Sequence, residues 1–277
     1  MFKDKTFVVT GASSGIGAET ARQLRAQGAR VLGVDVRSPS VGSRDFLQAD
    51  LGNRASIDRL VAGLPPGIDG LANIAGLPPT HTAAAVLRVN LVGLKYLTHA
   101  LAPHLAQGAS IVNLASIAGA GWPLAVPLIN ACASLDFEGV EAFCATHGIE
   151  GARSYFFSKE ALVAWTAENR WTWRARGIRI NAISPGPVQT PILKDFVATL
   201  GAQAGERMRT MERQGTPADI APVVAFLLSD SSAWIQGANI PVDGGMQAHA
   251  LATQHGLCDI QVPAPAPCGG GIAAPMP

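Results

Sequence analysis

Apolar and polar positions along this chain alternate between two kinds of segment. Short runs rich in Val, Ile and Leu occur at Thr6–Thr10 (TFVVT), Arg30–Val34, Phe46–Leu51, Ile68–Ile74, Ser110–Ala115, Ile178–Ser184 and Asn239–Val242. Runs of this length without polar alternation predict strands of a parallel sheet buried on both faces. Helical spacing fills the gaps: Ala18–Gln27 before Gly28, Arg54–Leu64 before Pro65-Pro66, and Ala83–Leu105, broken only near Pro103. A further helix runs from Tyr155 to about Arg176 and stops at Gly177, and another covers Pro217–Ser229. Strand–helix alternation of this kind predicts one α/β domain, a doubly wound seven-stranded parallel sheet with helices on both faces. No internal repeat is present. Beyond about Gln247 the periodicity fades, and Val262–Pro277 is half Pro and Gly. The expected organisation is therefore a globular domain over 1–247 and a disordered Pro/Gly/Ala-rich tail over 248–277.

Composition agrees with a large buried core. Of 277 residues, 48% are hydrophobic and 15% charged, and the mean hydropathy is +0.23; global disorder is excluded. A net charge of +1 without a basic run argues against nucleic-acid binding. Cys132, Cys144, Cys258 and Cys268 have neither zinc-ribbon nor disulfide-framework spacing, as in a reducing compartment, so the expected location is cytoplasmic. The six histidines are scattered, with His99 and His104 too far round a helix to share a face, so no metal site is expected. Lys3, Asp4 and Lys5 run straight into a strand, unlike a secretory signal. Leu105–Leu135 lacks charged side chains, yet Asn113, Gly119, Gly121, Pro123 and Pro127 interrupt it. A buried strand followed by one wall of an apolar pocket fits better than a membrane span.

Chemistry is written at the ends of the strands. The first runs into Gly11-Ala-Ser-Ser14-Gly15-Ile16-Gly17 at the head of a helix, and the second ends in Asp35. Glycines there let backbone N–H groups and a helix N-terminus approach a pyrophosphate, and the carboxylate suits the ribose hydroxyls of NAD while repelling the 2′-phosphate of NADP. Arg37 complicates that preference. Asp50 and Leu51 close the third strand, at the adenine end, and Asn73-Ile74-Ala75-Gly76 closes the fourth with small residues suited to close approach. Ser116 follows the fifth strand, where side chains face the ligand crevice. Tyr155 and Lys159 share a helix face, and a cation beside a phenol lowers its pKa towards neutrality, as a general acid/base requires. The chain's other tyrosine, Tyr96, has Ala100 in the corresponding place. Asn90, a poor mid-helix residue, is a candidate water-holding group.

TGASSGIG (Thr10–Gly17), Asp35, Asp50-Leu51, NIAG (Asn73–Gly76), Asn90, Ser116, YFFSK (Tyr155–Lys159), PGPVQTP (Pro185–Pro191) and DGG (Asp243–Gly245) stand in order over roughly residues 5–247. In this the chain resembles the short-chain dehydrogenase/reductase family, which implies a single-domain Rossmann fold and an NAD-dependent oxidoreductase interconverting an alcohol and its carbonyl. By that resemblance Tyr155 is the general acid/base, Ser116 hydrogen-bonds the substrate oxygen, and Lys159 binds the nicotinamide ribose and lowers the Tyr pKa. Asn90 holds a water leading to solvent. Gly11, Ser14, Gly15, Ile16 and Gly17 take the cofactor phosphates and ribose, and Asp35 the adenosine ribose. Asp50, Leu51, Asn73, Ala75 and Gly76 flank the cofactor, as do Pro185 and Gly186, while Val188 and Thr190 take the nicotinamide amide.

One departure is informative. The family places Ser about a dozen residues before Tyr, whereas Ser116 and Tyr155 are 39 apart. The reading is a helical insertion at about 118–153, with a helix near Leu135–Thr146. The spacing is similar to that of bacterial coniferyl-alcohol dehydrogenases and of 3-alpha-hydroxysteroid dehydrogenase/carbonyl reductases, and the Glu160–Gly201 and Trp234–Gly245 segments look closest to the first. Ile117, Trp122, Pro187 and Phe196 are expected to line a pocket for a small apolar alcohol or ketone, with Trp122 stacking on its ring system. Family members assemble as homodimers or homotetramers, commonly through the helices carrying Asn90 and Tyr155, a surface the insertion could cover. A non-catalytic dinucleotide-binding regulator is the alternative class; such members lack the Tyr or the Lys.

Overall fold

The computed structural model describes residues 1–38, 45–196, 199 and 213–257. Seven strands, β1 (Thr6–Thr10), β2 (Arg30–Asp35), β3 (Phe46–Gln48), β4 (Ile68–Asn73), β5 (Leu105–Leu114), β6 (Arg179–Pro185) and β7 (Asn239–Val242), form one sheet. Their order is β3-β2-β1-β4-β5-β6-β7, and each neighbouring pair is parallel. This is the expected seven-stranded doubly wound Rossmann sheet. Strand order reverses between β1 and β4, which opens a crevice at their carboxyl ends.

The central strands are apolar throughout because both faces are covered. Along β1, Phe7 and Val9 join one buried cluster and Val8 the other, as the two-residue period of a strand requires. Helices α1 (Gly15–Ala26) and α8 (Pro217–Leu228) pack on the Phe7 side through Leu24, Ile220 and Val224; α2 (Arg54–Ala62), α4 (Leu94–Leu101) and α7 (Gly151–Glu168) pack on the Val8 side through Leu60, Leu97 and Leu162. Helix ends follow local chemistry. The Asn53 side chain accepts from Ser56 N at α2, and Asp219 accepts from the Thr216 backbone N–H at 2.7 Å to start α8. At the far end of α8 the buried Arg179 guanidinium donates to the carbonyls of Leu227, Ser229 and Ser232, where the helix dipole is negative.

Several elements differ from the sequence expectation. The single helix expected over Ala83–Leu105 is α3 (Ala83–Leu87), a π-helical turn (Arg88–Gly93), α4 and a 3₁₀ turn (Ala102–His104). Gly93 at the end of the π turn lets the chain after β3 come close, because a Cβ there would lie 1.9 Å from the Leu51 carbonyl oxygen. β5 begins well before its apolar run, since Gln107 and Gly108 are exposed and break the pattern. The helix after Tyr155 ends at Glu168, where Asn169 Nδ2 donates back to Trp165 O at 2.9 Å, and 3₁₀ turns lead to Gly177 at φ 62°.

Between Ser116 and Tyr155 the chain forms two 3₁₀ turns (Ile117–Gly119 and Trp122–Ala125), then α5 (Val126–Ala131) and α6 (Val140–Thr146), the last shorter than expected. Phe143 of α6 stacks on Phe157 of α7 at 5.9 Å. Helix α9 (Met246–Gln254) crosses the position where the sequence suggests that a tail begins; Val262–Pro277 lies outside the described residues.

Candidate active site

The carboxyl ends of β1, β2, β4, β5 and β6 border a cavity of about 790 Å³. At one end lies the turn from β1 into α1. Gly11 (φ 71°) and Gly15 (φ 53°) occupy the left-handed region, and a Cβ on Gly17 would fall 2.1 Å from the Gly11 carbonyl oxygen. Only glycine lets α1 start so close to the strand. Ser14, the N-cap, makes no side-chain cap bond, so the first N–H groups of α1 are free of that partner beside the cavity. Gly11, Ser14, Gly15, Ile16 and Gly17 all line it, as do Asp35, Asp50 and Leu51. The Asp35 carboxylate accepts from Ser13 N and Arg37 N, each at 3.1 Å, which joins the glycine turn to the end of β2. Ala75 and Gly76 line the cavity after β4; a Cβ on Gly11 would meet Ala75 N at 2.9 Å. A glycine cradle at a helix N-terminus with a carboxylate at the next strand end fits a dinucleotide.

The other end gathers the reactive side chains. Ser116 follows β5 in extended conformation, its Oγ accepting from Ala118 N at 3.2 Å. Tyr155 and Lys159 project from α7, and all three line the cavity. The Lys159 ammonium lies 5.6 Å from the Tyr155 ring centroid and donates to Leu114 O at 2.7 Å. Phe196 stands edge-on to Tyr155 at 4.5 Å. Burial pushes the Tyr155 phenol up to about 12, and a hydrogen bond with Ser116 only partly offsets it. Burial also pushes Lys159 down to about 8. This differs from the sequence expectation of a phenol lowered by its lysine: desolvation outweighs the cation, whose hydrogen bond goes to a carbonyl.

Pro185, Gly186, Pro187, Val188 and Thr190 continue the lining after β6, and Ile117 joins them from beyond β5. Three expected residues stand apart from it. Asn73 is buried, its Nδ2 donating to Thr98 Oγ1 and Asn113 Oδ1, each at 2.9 Å. Asn113 donates on to Thr166 Oγ1 at 3.0 Å. The group ties β4 and β5 to α4 and α7 instead of meeting a ligand. Asn90 sits within the π turn, accepting from Leu77 N at 2.7 Å and donating to Leu77 O at 3.0 Å and to Ser158 Oγ at 3.4 Å. It fixes the backbone beside Gly76 against α7. Trp122, half-buried, packs on the core cluster beneath the stretch between Ser116 and Tyr155. Ile192, Leu193 and Met246 line the cavity without having been foreseen. Met246 lies where periodicity fades, and the only signal near it is the DGG turn.

Among the described residues no cluster of His, Cys, Asp and Glu could hold a metal ion, and no helix is long and apolar enough to cross a membrane.

Residues 5–127 match the family model described as short chain dehydrogenase, and residues 139–247 the model described as enoyl-(acyl carrier protein) reductase. The chain is 44% identical over 246 residues to a coniferyl-alcohol dehydrogenase of Pseudomonas sp. (strain HR199), covering 88% of this chain and 96% of that one. It is 32% identical over 254 residues to the 3-alpha-hydroxysteroid dehydrogenase/carbonyl reductase of Comamonas testosteroni, covering 89% and 98%. The crystal structure of the 3-alpha-hydroxysteroid dehydrogenase from Pseudomonas sp. B-0831, complexed with NADH, superposes with a TM-score of 0.77 at 29% identity, covering 90% and 99%. The chain belongs to the short-chain dehydrogenase family. It is an oxidoreductase fold for a nicotinamide dinucleotide, of a family acting on alcohols and carbonyls.

Proposed function

We propose that this protein is an NAD-dependent dehydrogenase interconverting an uncharged, ring-bearing alcohol and its carbonyl, with an aryl-allylic alcohol of the coniferyl type as substrate. The observation that carries the reading is the meeting of Ser116, Tyr155 and Lys159 in one cavity whose other end is a glycine cradle with Asp35. The relative named as a coniferyl-alcohol dehydrogenase supports the substrate, and the carboxylate at the end of β2 supports NAD over NADP.

When bound, the cofactor supplies the hydride acceptor and, oxidised, a positive ring. Ser116 and Tyr155 hold the substrate oxygen between two hydroxyls. In oxidation the hydroxyl proton passes to the Tyr155 oxygen as the carbon-bound hydrogen leaves as hydride; in reduction Tyr155 returns a proton to the carbonyl oxygen. With its phenol at about 12, Tyr155 is protonated at neutral pH, ready as the acid. Its use as a base needs positive charge nearby, which Lys159 and the oxidised cofactor bring. The backbone of the π turn at Asn90, whose side chain is committed to Leu77 and Ser158, is the proposed holder of a water linking this site to solvent.

The reading is tested by adding coniferyl alcohol with NAD or NADP and following the absorbance of the reduced cofactor. Activity with NAD that disappears in Tyr155→Phe supports it; no turnover with any aryl-allylic, steroid or simple alcohol refutes it. A hydroxysteroid substrate is the second reading, favoured by the superposed hydroxysteroid dehydrogenase. α6 packs on α3 and α5 on α7, so the assembly we propose is a homo-oligomer, in the cytoplasm, that does not use the exposed faces of those helices in the family's common way. A solution tetramer joined through them refutes that arrangement.

A further inference from the structure

Helix α9 brings to the reactive end of the cavity a side chain that no motif marks. The nucleotide cradle lies over β1, β2 and β3, while α9 follows β7 on the opposite edge of the sheet. Met246 opens α9 and lines the cavity, and the path of the chain out of β7, next to β6, brings it in from the side away from β1 and β2.

Its position is fixed from two sides. Asp243, buried at 9% exposure, accepts from Gly245 N at 2.9 Å and from Gln247 N at 2.8 Å, so its carboxylate grips the backbone on either side of Met246. Asp243 in turn is pressed on the cavity-lining turn after β6, where a Cβ on Gly186 would come within 3.0 Å of Asp243 Cα. Gly186 N donates to Val242 O at 3.2 Å. Met246 is therefore held to the same turn that carries Pro187 and Val188, not to a free terminus. The side chains that line the cavity after β5 and after β6, Ile117, Pro187, Ile192, Leu193 and Phe196, are uncharged. An unbranched thioether among such neighbours adapts to a flat ring and fills the space that a smaller substrate leaves.

We infer that Met246 sets the size limit of the alcohols and ketones that the site accepts, with Asp243 as the residue that positions it. The inference deepens the dehydrogenase reading above and rests on it. Removing the thioether side chain enlarges the pocket, and replacing it with a rigid ring shrinks it.

The experiment is a series of primary alcohols graded from a single benzylic ring to fused-ring systems, assayed for kcat/KM in the wild type, Met246→Ala and Met246→Phe. The expected result is that the preferred size moves up in Met246→Ala and down in Met246→Phe. Discrimination between the ends of the series should change by about ten-fold in opposite directions. General damage to the fold lowers all members alike and moves neither optimum. Asp243→Ala is expected to flatten the size preference, raising KM for the favoured alcohol more than it lowers kcat. Coincident optima in all three Met246 enzymes overturn the inference while leaving the dehydrogenase reading intact. A wild type that oxidises no member of the series overturns the inference, and one that also oxidises no aryl-allylic, steroid or simple alcohol overturns the dehydrogenase reading.

Discussion

Lys159→Met should make this protein more stable at neutral pH while abolishing its activity. Lys159 is 4% exposed, and its ammonium donates to Leu114 O at 2.7 Å. Burial takes its pKa from 10.5 to about 8. At about 1.4 kcal/mol per pH unit, that drop costs the folded state ~3 kcal/mol wherever the lysine is charged in both states. The folded value lies below the unfolded one, so the cost is full below about pH 8 and fades as pH rises to 10.5. Methionine fills similar volume without the charge but gives up the hydrogen bond, about 1.5–3 kcal/mol. The net gain at pH 7 is on the order of 1 kcal/mol. The difference between variant and wild type should move by ~3 kcal/mol against the variant between pH 7 and pH 10.5. Urea unfolding of both proteins across that range measures it, and other titrating groups cancel in the difference. A variant that is less stable by the same amount at every pH, or one whose advantage grows with pH, refutes the claim that the ammonium is desolvated at the fold's expense.

Gly17→Ala places a methyl 2.1 Å from the Gly11 carbonyl oxygen. Relief requires α1 to move by about 1 Å, so kcat/KM with NAD should fall roughly 100-fold, with thermal melting confirming a folded chain. Asp35→Ala removes the carboxylate at the end of β2 while leaving Arg37 at the cavity. NAD affinity should fall by one to two orders of magnitude, roughly the loss of a charged hydrogen bond, and the NADP-to-NAD preference should rise in parallel titrations; an unchanged ratio refutes the ribose assignment. Trp122→Ala should lower stability by about 2–4 kcal/mol through lost packing and leave KM for coniferyl alcohol within about two-fold, since Trp122 packs on the core. A ten-fold rise in KM would return Trp122 to the pocket.

Much of this architecture is legible in the chain because buried parallel strands carry no polar alternation. TFVVT and SIVNLA read directly as β1 and the inner part of β5. The glycine turn and the pair on α7 are legible for a similar reason, since each depends on spacing within one element. What sequence could not reveal depends on contacts between elements. The π turn at Asn90 keeps an apolar helical pattern and differs only in its hydrogen bonding. Asn73 resembles a ligand-facing residue until its partners Thr98 and Asn113 are seen. The Tyr155 phenol moves up instead of down because helical spacing places a cation nearby but cannot say how much water remains. Met246 joins the cavity through the path of α9 after β7, which no local pattern encodes.

The stretch between Ser116 and Tyr155 has a consequence for how such chains diversify. Its helices rest on the outside of α3 and α7, while β5 and β6 stay in register from Ser110 with Arg179 to Leu114 with Ile183. Closing a longer excursion is thermodynamically mild, about 0.6 kcal/mol for each doubling of its length. Chain can thus accumulate between two cooperating groups without disturbing where either ends up, leaving their separation along the polypeptide free to drift while their separation in space is conserved by the sheet.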